Sequence, residues 1–197
     1  MSSAPQFTIL FVCTGNVCRS PLAELLLRQS INTPSITTLS AGTQALVGHH
    51  MPEIQQDIAA QLGVESAEGH RAQQLTLQHV ENADLILGME RYHRSEAVKL
   101  SPRALRRTFT LRELARIAEL VPNEDIAFSE EANLVENMKA LIEAAAVNRG
   151  LAVSFVHPEE SDVIDPYRRS KQTYYESRDQ VVAALGAVVT YLNRAAI

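Results

Sequence analysis

The residues best suited to chemistry lie together near the start of the chain, in the stretch Cys13-Thr14-Gly15-Asn16-Val17-Cys18-Arg19-Ser20. An apolar run at residues 7–12 precedes it, and Ser20-Pro21 is typical of an N-cap followed by a first helical residue. The free N–H groups of a helix N-terminus and of successive loop residues bind anions. Gly15 permits a tight curve, and Arg19 brings two N–H donors to an oxyanion. The pattern therefore predicts a phosphate-binding loop.

Cys13 is the candidate nucleophile of this loop. A helix N-terminus and a nearby arginine favour the thiolate form of a cysteine, and the Ser20 hydroxyl is placed to donate to the sulfur. A thiolate beneath a bound phosphoryl group is in line to displace the leaving group and form a phosphocysteine. The alternative is that Cys13 is an ordinary small apolar residue at the end of a strand. The coincidence of anion site, arginine and helix start favours the nucleophile.

Buried strands and amphipathic helices alternate along most of the chain. Four runs have the composition of buried strands: residues 7–12, 36–39, 83–87 and 107–111. Helical patterns follow these runs, at residues 20–26, 52–62, 92–100 and 114–120, and the last helix is predicted over 181–192. The alternation predicts an α/β fold of three layers, with a four-stranded parallel sheet flanked by helices.

Residues 122–160 fit this alternation less well. Acidic residues crowd the first part of the segment, and apolar residues at helical spacing from Leu134 to Ala145 predict one more helix before Gly150. About 40 residues are too few for a good core of their own. We therefore expect residues 1–197 to form a single domain with a helical insertion at about 122–160.

Composition excludes several classes of protein. The chain has 197 residues, is 46% hydrophobic and carries a net charge of −5, which argues against a disordered chain and a broad nucleic-acid-binding face. No apolar run is long enough to span a bilayer, and the N-terminus lacks the basic region of a secretion signal. Two cysteines are too few for a disulfide scaffold. These features favour a cytoplasmic protein with reduced thiols.

The stretch from Phe11 to Glu24 resembles the signature of the low-molecular-weight protein tyrosine phosphatases. The resemblance extends to residues 40–43, 69–72, 84–89 and 165–167, and together these blocks cover most of residues 7–103 and 163–195. It implies a Rossmann-like phosphatase fold and hydrolysis of phosphotyrosine through a phosphocysteine. It also implies that phosphate, vanadate or sulfate binds in the loop and that no metal or cofactor is needed.

The resemblance assigns roles to individual residues. Cys13 is the implied nucleophile, Arg19 the phosphate clamp and Asp165 the general acid and base. The implied support of the loop is a hydrogen-bond network of Asn16, Ser20, Ser40 and His70. The implied phosphate-binding residues are Thr14, Gly15, Asn16, Val17, Cys18, Arg19 and Ser20.

Other residues leave alternatives open. From chemistry alone, Asp162, Glu159 and Glu160 compete with Asp165 for the role of general acid. Two adjacent histidines, His49-His50, do not easily face one metal ion, and no carboxylate cluster joins them. Cys18 is either inert packing or the partner of Cys13 in a reversible disulfide.

The predicted substrate pocket is lined by Leu46, Tyr167 and Arg168. Leu46 replaces an aromatic residue of many eukaryotic relatives, and the arginines after Tyr167 replace a second tyrosine. Both features are similar to bacterial members associated with capsule and exopolysaccharide export, which implies a tyrosine kinase as the phosphotyrosine substrate. The arginine phosphatases of the family carry threonine where this chain has Val17, which argues against phosphoarginine as the substrate. The remaining alternatives are an arsenate reductase that uses an external thiol and a catalytically silent phosphopeptide-binding module.

Overall fold

The computed structural model describes residues 5–31, 33–64, 67–129, 131–150 and 157–196. The strands are β1 (Phe7–Cys13), β2 (Ile36–Gly42), β3 (Leu85–Gly88) and β4 (Thr108–Thr110). The helices are α1 (Arg19–Ser30), α2 (Glu53–Gln61), α3 (Leu77–Asn82), α4 (Arg91–Leu100), α5 (Leu111–Leu120), α6 (Leu134–Val147) and α7 (Lys171–Leu192). None of the helices described is both long and apolar enough to cross a membrane.

The four strands form one parallel sheet in the order β2-β1-β3-β4. Side chains of β1 alternate between two buried clusters, with Ile9 and Phe11 on one face and Leu10 and Val12 on the other. Apolar residues of α1, α2, α5, α6 and α7 cover the first face, and those of α3 and α4 cover the second. The predicted three-layer α/β fold is confirmed, and β1 lies next to the centre of its sheet.

The start of α1 differs from the prediction. The helix begins at Arg19 after the N-cap residue Cys18, which makes no side-chain capping bond, so the prediction that Ser20 is the N-cap is wrong. The Ser20 hydroxyl instead donates to Cys13 Sγ at 2.9 Å. Ser20 is thus the second residue of α1, and its hydroxyl contacts the candidate nucleophile instead of capping the helix.

The predicted extra helix of the insertion is present as α6, which begins after an N-cap at Asn133. Its apolar residues belong to the same buried cluster as Ile9 and Phe11 of β1, and Tyr191 Oη of α7 donates to the carbonyl of Leu141 at 2.7 Å. After α6, the Arg149 guanidinium lies 4.2 Å from the centre of the Phe109 ring. Within the predicted insertion, residues 130 and 151–156 lie outside the described residues. That the whole chain is a single domain stays a prediction.

Candidate active site

Cys13 lies at the carboxyl end of β1, where the chain curves through residues 14–18 into α1. Its Sγ accepts hydrogen bonds from the backbone N–H of Asn16 at 3.2 Å and from Ser20 Oγ at 2.9 Å. Donors that point at a sulfur stabilise it when it carries negative charge. The environment of Cys13 is therefore suited to a thiolate.

Asn16 holds the loop in its curved shape. Its φ of 55° lies in the left-handed region, which asparagine tolerates better than most residues. Its side-chain amide donates to Ser20 Oγ at 3.0 Å and to Ser40 Oγ at 2.9 Å, and its Oδ1 accepts from the N–H of Gln73 at 2.8 Å. His70 Nε2 lies 2.7 Å from the Asn16 carbonyl oxygen. The structure thus brings together the four residues expected to support the loop.

Ser40 extends this network to a residue that the sequence analysis did not select. Its hydroxyl donates to Glu24 Oε2 at 2.6 Å, and the other oxygen of Glu24 pairs with Arg28 one turn later in α1. Glu24 is buried, so the pairing with Arg28 compensates its charge. A chain of polar contacts therefore runs from Asn16 to the exposed side of α1.

The segment after β2 packs tightly on the loop. The N–H groups of Thr43, Gln44 and Leu46 donate to successive loop carbonyls, those of residues 13, 14 and 15, at 2.9, 2.9 and 3.0 Å. A Cβ atom at Gly42 would lie 2.5 Å from the Thr14 carbonyl oxygen. Glycine is therefore required at position 42 for this close approach.

The Arg19 guanidinium is buried, with 2% of its side chain exposed. It donates to the Glu90 carboxylate and to the Val163 carbonyl at 2.8 Å, and its Nη2 lies 3.2 Å from Asp165 Oδ1. Burial alone lowers the pKa of Arg19, but the charges of Cys13, Asp165 and Glu90 outweigh that effect and raise it. Arg19 therefore stays a cation near both Cys13 and Asp165.

The four candidate acids occupy different environments. Asp165 lines the cavity above Cys13 and contacts Arg19. Asp162 forms an ion pair with Arg91, and a carboxylate oxygen of Glu160 lies 3.8 Å from the guanidinium of Arg116. Neither these two nor Glu159 lines the cavity. The geometry therefore favours Asp165, although sequence chemistry left the four open.

A cavity of about 180 Å³ opens above the loop. Its lining residues are Cys13, Thr14, Gly15, Val17, Cys18, Arg19, Gln44, Leu46, Asp165 and Tyr167. Asn16 and Ser20 have fully buried side chains and do not line it. Arg168 does not line the cavity, so the prediction that it lines the substrate pocket is wrong. The backbone of Arg168 is left-handed, with a φ of 59°, and its guanidinium lies over the Tyr167 ring, 5.2 Å from the ring centre. Gln44 is a lining residue that the motifs did not indicate.

Three further residues missed by the sequence analysis come from the start of α4. Glu90 pairs with Arg19, Arg91 binds Asp162, and the fully buried His93 lies 2.9 Å from Thr14 Oγ1. Glu90 and His93 also form a reciprocal capping box at the helix N-terminus. An acidic residue followed three residues later by a polar one is the signal that could have marked this helix start.

Cys18 differs from Cys13 although both are free and buried. Burial, and then the charge of Cys13, raises the pKa of the Cys18 thiol well above its usual range. Cys18 is therefore a protonated thiol at neutral pH and is poorly suited to act as a nucleophile. The structure places no disulfide between them.

His49 and His50 have different polar neighbours. His49 Nδ1 lies 3.0 Å from the Leu46 carbonyl oxygen, and His50 Nδ1 lies 2.8 Å from Arg71 Nη1. Within the described ranges, no group of three or more histidine, cysteine, aspartate or glutamate side chains is arranged to hold a metal ion.

Comparison with known proteins places this geometry in a family. Residues 8–147 match the family model described as low molecular weight phosphotyrosine protein phosphatase. The chain is 39% identical over 131 residues to the probable low molecular weight protein-tyrosine-phosphatase EpsP of Ralstonia nicotianae, a match that spans 66% of this chain and 88% of EpsP.

Solved structures share the fold. Vibrio vulnificus Wzb in complex with benzylphosphonate superposes with a TM-score of 0.65 at 24% identity, covering 93% of this chain and 97% of Wzb. The YwlE arginine phosphatase from Geobacillus stearothermophilus gives 0.66 at 26% identity, covering 95% and 94%. The resemblance inferred from the sequence is confirmed, and the chain belongs to the low molecular weight phosphotyrosine protein phosphatase family.

Proposed function

We propose that the protein hydrolyses phosphotyrosine through a phosphocysteine intermediate on Cys13. One observation carries the proposal: Cys13 Sγ, the buried Arg19 and the Asp165 carboxylate surround a single cavity at the start of α1. A phosphoryl group in this cavity meets a nucleophile at its base, a cation at its side and a carboxyl group at its entrance. These are the three groups that displacement at a phosphate monoester requires.

In the first step, the Cys13 thiolate attacks phosphorus. The S–P bond forms as the bond from phosphorus to the tyrosyl oxygen breaks, and protonated Asp165 gives its proton to the departing phenolate. Arg19 holds the phosphoryl oxygens throughout and remains protonated. The donors to Cys13 Sγ, Asn16 N–H and Ser20 Oγ, stabilise the sulfur before attack.

In the second step, water attacks the phosphocysteine. Asp165, now a carboxylate, takes a proton from the water as the new P–O bond forms. The S–P bond breaks and its electron pair returns to Cys13 as a thiolate, which Ser20 again stabilises. Inorganic phosphate leaves, and the remaining proton on Asp165 resets the enzyme for the next substrate.

We propose a tyrosine residue of a protein as the substrate, with a bacterial tyrosine kinase as the candidate and the cytoplasm as the compartment. Leu46 and Tyr167 line the cavity beside Cys13 and form an apolar wall for a phenyl ring. The resemblance to bacterial export-associated members supports the kinase.

Phosphoarginine is the competing substrate because YwlE, an arginine phosphatase, shares the fold. Val17 lines the cavity here and has no hydroxyl, whereas the arginine phosphatases carry threonine at this position. No cysteine follows Cys18 along the chain, so an arsenate reductase would need an external thiol. The silent binding module has less support, because a candidate nucleophile and a candidate acid are both present.

The test is hydrolysis of two aryl phosphates, one with a good leaving group (p-nitrophenol) and one with a poor one (phenol), by four proteins. We expect turnover by the wild type, none by Cys13→Ser, and a loss of about 10²–10⁴-fold in Asp165→Asn that is larger for the poor leaving group. Glu160→Gln, a neighbouring carboxylate outside the cavity, is the matched control and should retain the wild-type rate. Acid quenching should trap phosphate on Cys13.

Four results would contradict the proposal. Turnover by Cys13→Ser would show that Cys13 is not the nucleophile. A loss of rate in Glu160→Gln equal to that in Asp165→Asn would show that Asp165 is not the specific acid. Faster hydrolysis of phosphoarginine than of phosphotyrosine in peptides of one sequence would reassign the substrate. Reduction of arsenate with added thiol, without aryl phosphate turnover, would favour the reductase.

A further inference from the structure

His93 is a fully buried histidine that lies behind the loop and not in the cavity. It is the third residue of α4, and both of its ring nitrogens have polar neighbours: Nδ1 lies 3.0 Å from the backbone nitrogen of Glu90, and Nε2 lies 2.9 Å from Thr14 Oγ1. The mechanism above gives it no role. A buried polar side chain with two specific partners holds those partners in place.

The contact with Glu90 fixes which nitrogen carries the proton. A backbone N–H donates, so Nδ1 is the acceptor and the neutral ring carries its hydrogen on Nε2. The Nε2–H group then donates to Thr14 Oγ1. Burial, and then the charge of Arg19, lowers the pKa of His93 to about 3, which keeps the ring neutral near neutral pH.

The direction of this bond determines what Thr14 can do. Because Oγ1 accepts from His93, the hydroxyl keeps its own hydrogen for a different acceptor. Thr14 is the first residue after the nucleophile and lines the cavity where the phosphoryl group binds. A phosphoryl oxygen is the acceptor that this site offers.

We propose that His93 is a positioning residue of the phosphatase reaction: through its Nε2–H it orients the Thr14 hydroxyl to donate to a phosphoryl oxygen in the loop. The inference rests on the proposed function and deepens it. Glu90 accepts a hydrogen bond from Arg19, and His93 contacts Thr14. The start of α4 therefore contacts both ends of the loop.

Two substitutions separate this role from simple helix capping. In His93→Asn, the amide oxygen replaces Nδ1 and still accepts from Glu90, but nothing reaches Thr14. In His93→Gln, the amide nitrogen replaces Nε2 and still donates to Thr14, but the capping contact is lost. We expect kcat/KM for p-nitrophenyl phosphate to fall about tenfold in His93→Asn and to be at least fivefold higher in His93→Gln than in His93→Asn. The opposite order, with Asn better than Gln, would overturn the proposal in favour of capping.

Thr14 supplies the second arm. Thr14→Val keeps the shape and removes the hydroxyl, so it should lower kcat/KM and weaken inhibition by vanadate about tenfold, and Thr14→Ser should recover both. The double variant Thr14→Val with His93→Asn should be no worse than Thr14→Val alone, because the two changes break the same contact. Additive losses would overturn the proposal.

A spectroscopic measurement does not depend on turnover. The ¹⁵N shifts of His93 in the wild type should show Nε2 protonated and Nδ1 unprotonated, and the Nε2 signal should move in Thr14→Val. Protonation on Nδ1, or an unmoved Nε2 signal, would refute the hydrogen bond. If the wild type lacked aryl phosphate turnover but showed the expected signals, the proposed function would fail while the contact stood.

Discussion

Asp162 binds both the main chain and the side chain of Arg91. Its Oδ1 accepts from the Arg91 backbone N–H at 2.8 Å, and the guanidinium donates to both carboxylate oxygens at 2.9–3.2 Å. Next to it, the N–H of Val163 donates to the Met89 carbonyl at 2.8 Å. The residues before Asp165 are thereby attached to the start of α4.

Loss of this pair should misplace Asp165, the proposed general acid. In Asp162→Ala, we expect kcat/KM for phenyl phosphate to fall about tenfold and kcat/KM for p-nitrophenyl phosphate to change less, because formation of the phosphocysteine from the poor leaving group depends more on the proton from Asp165. Lys99→Ala is the control, since it breaks an exposed ion pair with Glu96 within α4. Equal losses for the two substrates would show that Asp162 does not act through Asp165.

Replacing Asn16 should damage the loop in two separable ways. Asn16→Gly tolerates the positive φ but leaves the partners of the amide unsatisfied, at a cost of about 2–4 kcal/mol in the free energy of unfolding. Asn16→Ala loses the same bonds and should cost about 1 kcal/mol more, because a Cβ disfavours left-handed backbone. Urea denaturation of the three proteins measures both terms. Equal stability of the Gly and Ala variants would mean that the backbone conformation contributes nothing.

A methyl group at Gly42 should disturb the loop. Its Cβ would lie 2.5 Å from a backbone oxygen that belongs to the loop, so Gly42→Ala should destabilise the protein by about 1–3 kcal/mol and reduce turnover. Gly186→Ala is the matched control: a Cβ there meets no atom within 4 Å, and the site is inside α7. That change should stabilise the protein by about 0.5–1 kcal/mol and leave the rate unchanged. Thermal denaturation measures the change in stability of both variants, and aryl phosphate hydrolysis measures the change in their turnover.

The buried His93 should make the protein acid-sensitive. Burial, with the charge of Arg19, lowers its folded-state pKa to about 3, with Asp162 acting weakly in the opposite sense. The unfolded chain therefore binds a proton, at a pKa near its usual value of about 6.5, that the folded protein excludes. The stability that depends on neutral His93 is present above about pH 6.5 and falls by roughly 1.4 kcal/mol per pH unit as the pH drops towards 3.

Urea denaturation at pH 7, 6 and 5 checks this slope. The difference in the free energy of unfolding between wild type and His93→Gln should shrink by roughly 1.4 kcal/mol per pH unit below pH 6.5. His49→Gln makes the same chemical change at an exposed site and should leave the slope of the wild type in place. A pH-independent difference in His93→Gln would contradict the low pKa of His93.

The strands and the loop could be predicted because their signals are local. Apolar runs marked the four strands to within three residues, and the spacing of Cys13 and Arg19 predicts a phosphate site. The sheet confirms the predicted fold, and the match to the family model confirms the family. Helix α3 was missed because it is six residues long and buries only Val80.

The contacts of α4 could not be predicted, because they join residues far apart in the chain. Glu90 lies 71 positions from Arg19, and His93 lies 79 positions from Thr14. The parallel pairing of β1 with β3 places the carboxyl ends of both strands side by side, so the loops after them meet. Without the strand order, nothing in the spacing of these residues indicates that they touch.

The two cysteines of the chain are almost completely covered, each with 3% of its surface exposed, yet both line the same cavity. An alkylating reagent therefore approaches either sulfur through the opening of that cavity, which is also the proposed entrance for phosphate. Iodoacetamide is small enough for that path and needs a thiolate, so it should modify Cys13 and spare the protonated Cys18. Vanadate bound in the loop should slow the labelling of Cys13. The decrease in labelling rate with vanadate concentration then measures the fraction of loops that hold an anion, without any substrate being turned over.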